Sequence, residues 1–148
     1  MTAVARLVRN PIDAGALVRE VASCAHGAIL LFLGVVRDVN DGRGVTSIEY
    51  SAYEAMAQRE LDALVTEATA RFGSSSVVVE HRLGELALED ASVGIAVAHA
   101  HRDEAYALSR WTIEELKRRV PIWKREHYVD GTREWVDPSG HRVAELSS

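Results

Sequence analysis

Residues 76–100 read SVVVEHRLGELALEDASVGIAVAHA, and this stretch decides the fold class. Two runs rich in β-branched residues, 76–86 and 91–100, predict two strands joined by a short acidic link. Strands joined so closely indicate hairpin-like pairing rather than helical crossovers between parallel strands. The sequence therefore predicts an α+β fold with a mixed or antiparallel sheet. A doubly wound α/β fold is the second choice, because no glycine-rich phosphate fingerprint follows the first strand.

Hydrophobic periodicity predicts further elements on both sides of this stretch. The predicted strands lie at 3–9, 27–38 and 46–53, and a hairpin joins IWKREHYV to TREWV across Asp130-Gly131. The predicted helices are a short one from Asp13 to about Ala25 and two long ones, at 54–72 and from about 103 to 119. Pro121 prevents the last helix from continuing. The polar segment 40–44 is predicted to be a mobile loop, and about 138–148 a loose tail.

The composition fits one globular domain over residues 1–148. The chain has 17 Lys+Arg against 22 Asp+Glu and a net charge of -5, which argues against nonspecific binding to nucleic acid but permits a local basic pocket. A single cysteine, Cys24, excludes an internal disulfide and favours the cytoplasm; it is predicted to be a small buried residue of the first helix. No signal peptide is evident, and no apolar stretch is long enough to span a membrane.

The segment KRRVPIWKRE, residues 117–126, gathers five cations around a proline and a tryptophan. Lys117 falls in the last turn of a predicted helix and Lys124 just beyond the break, so a bend at Pro121 would turn both amines toward one pocket. Neighbouring positive charge lowers the pKa of a lysine, which suits it to proton transfer or nucleophilic chemistry. The structural alternative is that these cations stabilise the helix C-terminus through its dipole.

Other candidate residues also lie at the ends of predicted elements. Arg37 follows an apolar strand and suits an anionic ligand, or an ordinary ion pair with Asp38. His101 and Arg102 immediately precede the second long helix, whose N-terminus favours anions. His99 and His101 alternate on a strand and have metal-ligand spacing, but no third ligand is obvious. His81 with Arg82, and the residues Tyr50, Tyr53 and Met56, are assigned to structural roles or packing.

Several of these stretches together resemble one known family, the catalytic (large) subunit of molybdopterin synthase, or MoaE family. The matching segments are FLGVVRDVNDGRGV, IEYSAYEAMA, HRLGEL, SVGIAVAHAHRDEAY, LKRRVPIWKRE and DGTREWV. The resemblance runs from about Gly27 to Val136, and the combination of LKxxxPIWK with GxVR and AHR is specific.

The resemblance implies an α+β fold of the α/β-hammerhead type and a sulfurtransferase activity. In this family, sulfur arrives as a thiocarboxylate on the C-terminal Gly-Gly of a small ubiquitin-like partner. It is transferred to cyclic pyranopterin monophosphate, which becomes the dithiolene of molybdopterin. The resemblance also implies a homodimer of large subunits within a heterotetramer, with no cofactor and no metal in this chain.

The family's functional residues carry over by motif. Lys117 and Lys124 match its lysines and are predicted to be catalytic, with Lys117 ranked first as acid/base. The other predicted substrate-binding residues are Val35, Val36, Arg37, His101, Arg102, Arg125 and Glu126. Val35 stands where some relatives have a lysine, which removes one cation, and Arg142 is a candidate for an arginine that acts across the dimer.

Two rival functions follow from the same residues. One is a noncatalytic module that binds a ubiquitin-like tail in a basic groove. The other is a metallohydrolase that uses His99 and His101.

Overall fold

The computed structural model describes residues 1–143, which form two β-sheets and three α-helices. The strands are β1 Ala3–Val8, β2 Ala28–Val35, β3 Val39–Asn40, β4 Arg43–Ala52, β5 Ser75–Arg82, β6 Gly84–Ala87, β7 Ala91–His99, β8 Ile122–Tyr128, β9 Arg133–Val136 and β10 Arg142–Val143. The helices are α1 Ala14–Val21, α2 Glu54–Phe72 and α3 Arg102–Arg119. None of these three helices is both long and apolar enough to cross a membrane.

The first sheet has the strand order β1-β5-β7-β2, and helices pack on both of its faces. Its β1–β5 pair is parallel and its other pairs are antiparallel, so the predicted mixed sheet is confirmed. On one face α1 packs Leu17 and Val21 against Val78 and Ala96. On the other face α2 and α3 complete the larger core. This burial explains the almost continuous apolar sequence of β7.

The second sheet has the order β10-β9-β8-β4-β3, and β6 also pairs with β4. It is antiparallel throughout and packs around a small core that includes Ile48, Leu86 and Tyr128. The predicted strand 76–86 is wrong as one element, because it breaks at Leu83 and β6 begins at Gly84, whose φ of 100° favours glycine. The part before Gly84 belongs to the first sheet and the part after it to the second.

Three local predictions differ from the structure. Residues 40–44 form a tight β3–β4 hairpin rather than a loop, with φ values of 50° at Asp41 and 77° at Gly42. Part of the predicted tail pairs with β9 as β10, and residues 144–148 lie outside the described range. The first helix ends at Val21, so Cys24 lies beyond it and is exposed.

The end of α3 leads directly into the second sheet. Val120 follows the helix in an extended conformation, with φ -90° and ψ 119°, as expected before a proline. Strand β8 then begins at Ile122 and pairs with β4. The C-terminal turn of α3 is therefore placed beside β8, at the junction of the two sheets.

Candidate active site

Two cavities meet at the junction of the sheets. The larger, which we call the main cleft, has a volume of about 650 Å³, and the smaller, the side pocket, about 160 Å³. Tyr50, Lys117 and Lys124 border both cavities. Lys117 comes from the last turn of α3, Lys124 from β8, and Tyr50 lies opposite Lys124 in the β4–β8 register. The break at Pro121 thus brings both lysines to one place.

The surroundings of Lys117 make its charged form less favourable than it is in water. Although this residue is solvent-exposed at the cleft, desolvation by the surrounding protein lowers the pKa of its amine, and the charge of Lys124 lowers the pKa further. Within residues 1–143, neither lysine forms an ion pair. Such an amine can exchange a proton more readily than an ordinary lysine.

The three arginines of the same segment have structural partners instead. Arg118 pairs with Glu115 at 2.5 Å, Arg119 with Glu67 at 2.6 Å and Arg125 with Glu49 at 2.9 Å. Arg125 also stacks on Trp135, with its guanidinium carbon 4.9 Å from the ring centroid. The alternation of β8 turns Arg125 away from the face that carries Lys124 and Glu126. The positive cluster in the sequence therefore separates into three arginines with acidic partners and two lysines without them, although Arg118 also lines the main cleft.

The side pocket joins Arg37 to a buried carboxylate. Glu126 is fully buried and lines this pocket, and its carboxylate accepts hydrogen bonds from Asn40 Nδ2 at 2.6 Å and the Tyr128 hydroxyl at 3.0 Å. Arg37 is exposed and donates to Asn40 Oδ1 at 3.4 Å, rather than pairing with Asp38. Val35 also lines the pocket. Arg37, Asn40 and Glu126 thus form one connected polar wall.

Other predicted site residues lie elsewhere. Val36 is 2% exposed and belongs to the core of the second sheet. His101 and Arg102 line a separate pocket at the start of α3. The fifteen residues from Arg102 to Lys117 correspond to about 22 Å along the helix axis. A single chain therefore does not bring the His-Arg pair to the lysines.

His99 has a structural environment. Its Nδ1 accepts a hydrogen bond from the His101 backbone N–H at 3.1 Å, so the proton is on Nε2, which donates to the Phe72 carbonyl at 3.1 Å. Both ring nitrogens are therefore occupied inside the protein. In the described part of the chain, no group of three or more His, Cys, Asp or Glu side chains is arranged to hold a metal.

Arg142 is held by acidic groups of its own chain. Its guanidinium lies 2.8 Å from Asp41, 3.1 Å from Glu134 and 3.6 Å from Glu126. It also lies 3.3 Å from the Tyr128 hydroxyl, and these contacts raise its pKa, with the Tyr128 and Asp41 hydrogen bonds as the largest causes. In this conformation Arg142 fastens β10 and the β3–β4 hairpin to the wall of the side pocket.

Sequence reasoning missed several residues that line the cavities. Tyr50 was assigned to packing and His81 to a structural hydrogen-bonding role, yet both line the main cleft. The turn 137–140 also lines it, and Asn40 lines the side pocket. The alternation of strand 46–53 and its pairing with the lysine segment could have revealed Tyr50. No signal in the sequence distinguishes His81 from a core histidine.

The fold and the cavities define a class of protein: a two-sheet α+β protein with a pair of lysines in a cleft suited to an anionic ligand. Comparison with known families is more specific, because the sequence profile described as MoaE protein matches residues 7–119. The chain belongs to the MoaE family.

Similar proteins share most of this chain. A molybdopterin synthase catalytic subunit of Emericella nidulans is 43% identical over 117 residues, which is 79% of this chain and 60% of the relative. The protein of the same name from Pyrococcus abyssi is 37% identical over 91% of this chain and 92% of its own length. The crystal structure of molybdopterin synthase from Staphylococcus aureus contains a chain with a TM-score of 0.84 and 32% identity, covering 91% of this chain and 96% of that one. This likeness confirms the α+β fold.

Proposed function

We propose that this chain is the catalytic subunit of a molybdopterin synthase, an enzyme of molybdenum cofactor biosynthesis. In the proposed reaction, sulfur passes from the thiocarboxylated C-terminus of a small ubiquitin-like subunit to cyclic pyranopterin monophosphate. The observation that carries the proposal is the meeting of Lys117 and Lys124, both without ion-pair partners in the described chain, at two adjoining cavities. The relatives named above support the proposal, because the molybdopterin synthase catalytic subunit of Pyrococcus abyssi and this chain match over nearly their whole lengths.

The chemistry of the proposed reaction needs cations and a mobile proton. The substrate and the sulfur-bearing tail are both anionic, and Lys124 and Arg37 border the side pocket where an anion would be stabilised. Formation of the carbon–sulfur bonds requires proton transfer to the departing oxygen. Lys117 is suited to this step because desolvation and the charge of Lys124 lower its pKa, which makes its ammonium a better proton donor than that of an ordinary lysine. We assign Lys117 as the acid/base and Lys124 as the stabiliser of the acyl intermediate.

The proposed enzyme functions as a dimer of large subunits with a small subunit at each end. Strand β2 is an edge strand of the first sheet and reads AILLFLGV, without charge or proline. Ile29, Leu31, Leu33 and Val35 on this strand are each 37–54% exposed. Unprotected apolar edges of this kind favour pairing with another strand. We propose that β2 of a second copy covers this edge.

Antiparallel pairing of the two β2 strands would also complete the anion site. The start of β2 lies beside the segment that leads to α3, because Ala28 is paired with His99. In the dimer, the start of one β2 therefore lies near the end of the other, next to Val35 and Arg37. His101 and Arg102 of one copy are then proposed to bind substrate at the lysines of its partner. This arrangement accounts for their distance from Lys117 within one chain.

Mixed dimers test this arrangement. Lys117→Ala and Arg102→Ala chains are each expected to be inactive as homodimers. If the residues act across the dimer, a mixed dimer retains one complete site, and an equal mixture recovers roughly a quarter of wild-type activity by random pairing. If mixed dimers are verified to have formed and activity is still not recovered, the proposed pairing is contradicted.

The proposed compartment is the cytoplasm. The single cysteine, Cys24, is free and exposed, which is compatible with a reducing environment.

Reconstitution tests the proposed function as a whole. The chain is combined with a thiocarboxylated small subunit and the cyclic pterin, and the dithiolene product is measured. Product is expected only when all three components are present. A chain that binds the small subunit but never yields product would instead be the noncatalytic docking module. A requirement for metal, tested by chelation, would favour the hydrolase alternative.

A further inference from the structure

His81 lies at the boundary between the first sheet and the main cleft. It is the seventh residue of β5 and is flanked by Leu7 of β1 and Val93 of β7. The residue is only 2% exposed, yet it lines the main cleft together with Lys117 and Lys124. The ring of Tyr50 meets its ring edge-on, with a centroid distance of 5.4 Å, and helps to fix its orientation.

A backbone contact fixes the tautomer of His81. Its Nδ1 lies 3.0 Å from the carbonyl oxygen of Arg82, which can only accept a hydrogen bond, so Nδ1 carries the proton. Burial lowers the pKa of the imidazole to about 4, opposed by the Arg82 carbonyl and reinforced by the charge of Lys117. The ring is therefore neutral at physiological pH, and Nε2 presents a lone pair as a hydrogen-bond acceptor.

Nε2 has no donor within residues 1–143. None of the hydrogen bonds of the described chain reaches this atom, and it is not among the polar atoms sealed from solvent without a partner. Its access is therefore through the cleft that His81 lines. A buried acceptor without a donor is costly, and such atoms in clefts are commonly satisfied by a ligand or water. Nε2 is thus an acceptor at a cleft that also carries three cations, Lys117, Arg118 and Lys124, and two acids, Glu114 and Asp137.

We propose that Nε2 of His81 is a binding site for an N–H group of the ligand that occupies the main cleft. The inference rests on the proposed function, since both proposed reactants carry N–H groups beside an anion. One source is the backbone N–H of the terminal residue of the sulfur-carrying tail, and the other is an N–H of the pterin. In either case the lysines bind the anionic end and His81 binds the adjacent donor, so the cleft distinguishes such ligands from simple anions.

Two substitutions isolate the acceptor. His81→Phe keeps an aromatic ring but removes Nε2, and His81→Gln restores a neutral acceptor. His127→Phe is a matched control, because His127 also lies on a strand with an unpartnered Nε2 but does not line either cavity. Thermal melts establish that each variant is folded before kinetics are compared.

Steady-state kinetics of the reconstituted complex distinguish the two sources. Loss of one hydrogen bond is expected to raise one KM about 3- to 10-fold in His81→Phe, with partial recovery in His81→Gln. A higher KM for the small subunit assigns the donor to the tail, and a higher KM for the pterin assigns it to the substrate. Both KM values unchanged within about twofold, in folded His81→Phe, would overturn the inference.

A measurement on the unmodified chain is independent of folding of the variants and of turnover. The ¹⁵N resonance of His81 Nε2 is followed by NMR while carboxylate-form small subunit or the pterin is added. An upfield shift of this nitrogen with one of the two ligands is the expected result. No shift at saturation with either ligand would refute the inference. Failure of the proposed function would instead appear as absence of product in the wild-type assay.

Discussion

Replacement of Glu126 by glutamine tests whether the wall of the side pocket is held by a buried carboxylate. Glu126 is fully buried and accepts hydrogen bonds from Asn40 at 2.6 Å and Tyr128 at 3.0 Å. Glutamine has a similar shape but is neutral, and its amide group is a donor where the carboxylate had a second acceptor oxygen. Glu126→Gln therefore removes one of the two hydrogen bonds, and the acceptor of the remaining one is no longer charged.

The size of the effect follows from these contacts. Hydrogen bonds to a charged group each contribute about 1.5–3 kcal/mol. The 3.6 Å contact with Arg142 adds less than about 1 kcal/mol, because the arginine side chain is 32% exposed. Glu126→Gln is therefore expected to lower the free energy of unfolding by about 2–4 kcal/mol. For a chain of this length, that corresponds to a fall in Tm of roughly 5–15 °C.

Urea unfolding and thermal melts measure this change. Glu85→Gln is the control, since Glu85 is exposed on β6 and its replacement is expected to change stability by no more than about 0.5 kcal/mol. Asn40→Ala should also destabilise the protein, and its effect should not add fully to that of Glu126→Gln, because both changes act on the contact between Asn40 and residue 126. If Glu126→Gln has the same Tm as the Glu85→Gln control, the buried carboxylate does not stabilise the wall of the side pocket.

Three further predictions concern the lysines and the glycines. Lys124→Met removes a positive charge that lowers the pKa of Lys117, so the limb of the pH–rate profile that reports Lys117 should move to higher pH. A limb that stays at the same pH would show that the charge of Lys124 does not affect Lys117. Lys117→Met should raise Tm at pH 7, because below its folded pKa the native lysine is charged and disfavoured by its surroundings. That advantage should shrink as the pH rises through the folded pKa toward the unfolded value of about 10.4, as melts across pH can show. Gly27→Ala would place a Cβ 2.7 Å from the Ala100 carbonyl oxygen and should cost about 1–3 kcal/mol. At Gly15 in α1 a Cβ would meet the flexible Arg19 side chain at 3.2 Å and Asp13 Oδ1 at an ordinary 3.5 Å, so Gly15→Ala should stabilise the protein by about 0.5 kcal/mol. Denaturant titration should therefore give opposite signs for the two variants.

The fold could be predicted where local pattern determines the outcome. The two long helices, the β8–β9 hairpin and the mixed sheet follow from periodicity, from Gly73 after α2 and from Pro121 after α3. Assignment of strands to sheets could not be predicted in the same way. The run 76–86 has uniform β-propensity, and only the backbone of Gly84 shows that it serves two sheets. The β3–β4 hairpin had a signal, Asp41-Gly42, which is a typical hairpin turn.

The part of the site that depends on local sequence pattern could also be predicted. The proline between Lys117 and Lys124 is a local feature, so their meeting could be predicted from spacing. Sequence adjacency was misleading for Arg125, because alternation along β8 places it on the opposite face from Lys124. His81 could not be identified, since its relation to the cleft depends on contacts that are distant in sequence, with the ring of Tyr50 and the cleft shared with Lys117 and Lys124.

The most direct test of the central claim is product formation by a Lys117→Ala, Lys124→Ala double variant. The variant is assayed at saturating thiocarboxylated small subunit and cyclic pterin, with binding of the small subunit measured in parallel. The account predicts a fall in dithiolene formation of at least about 100-fold, with a folded chain that still binds the small subunit. Conversion at the wild-type rate by the double variant would contradict the claim that these two amines perform the chemistry.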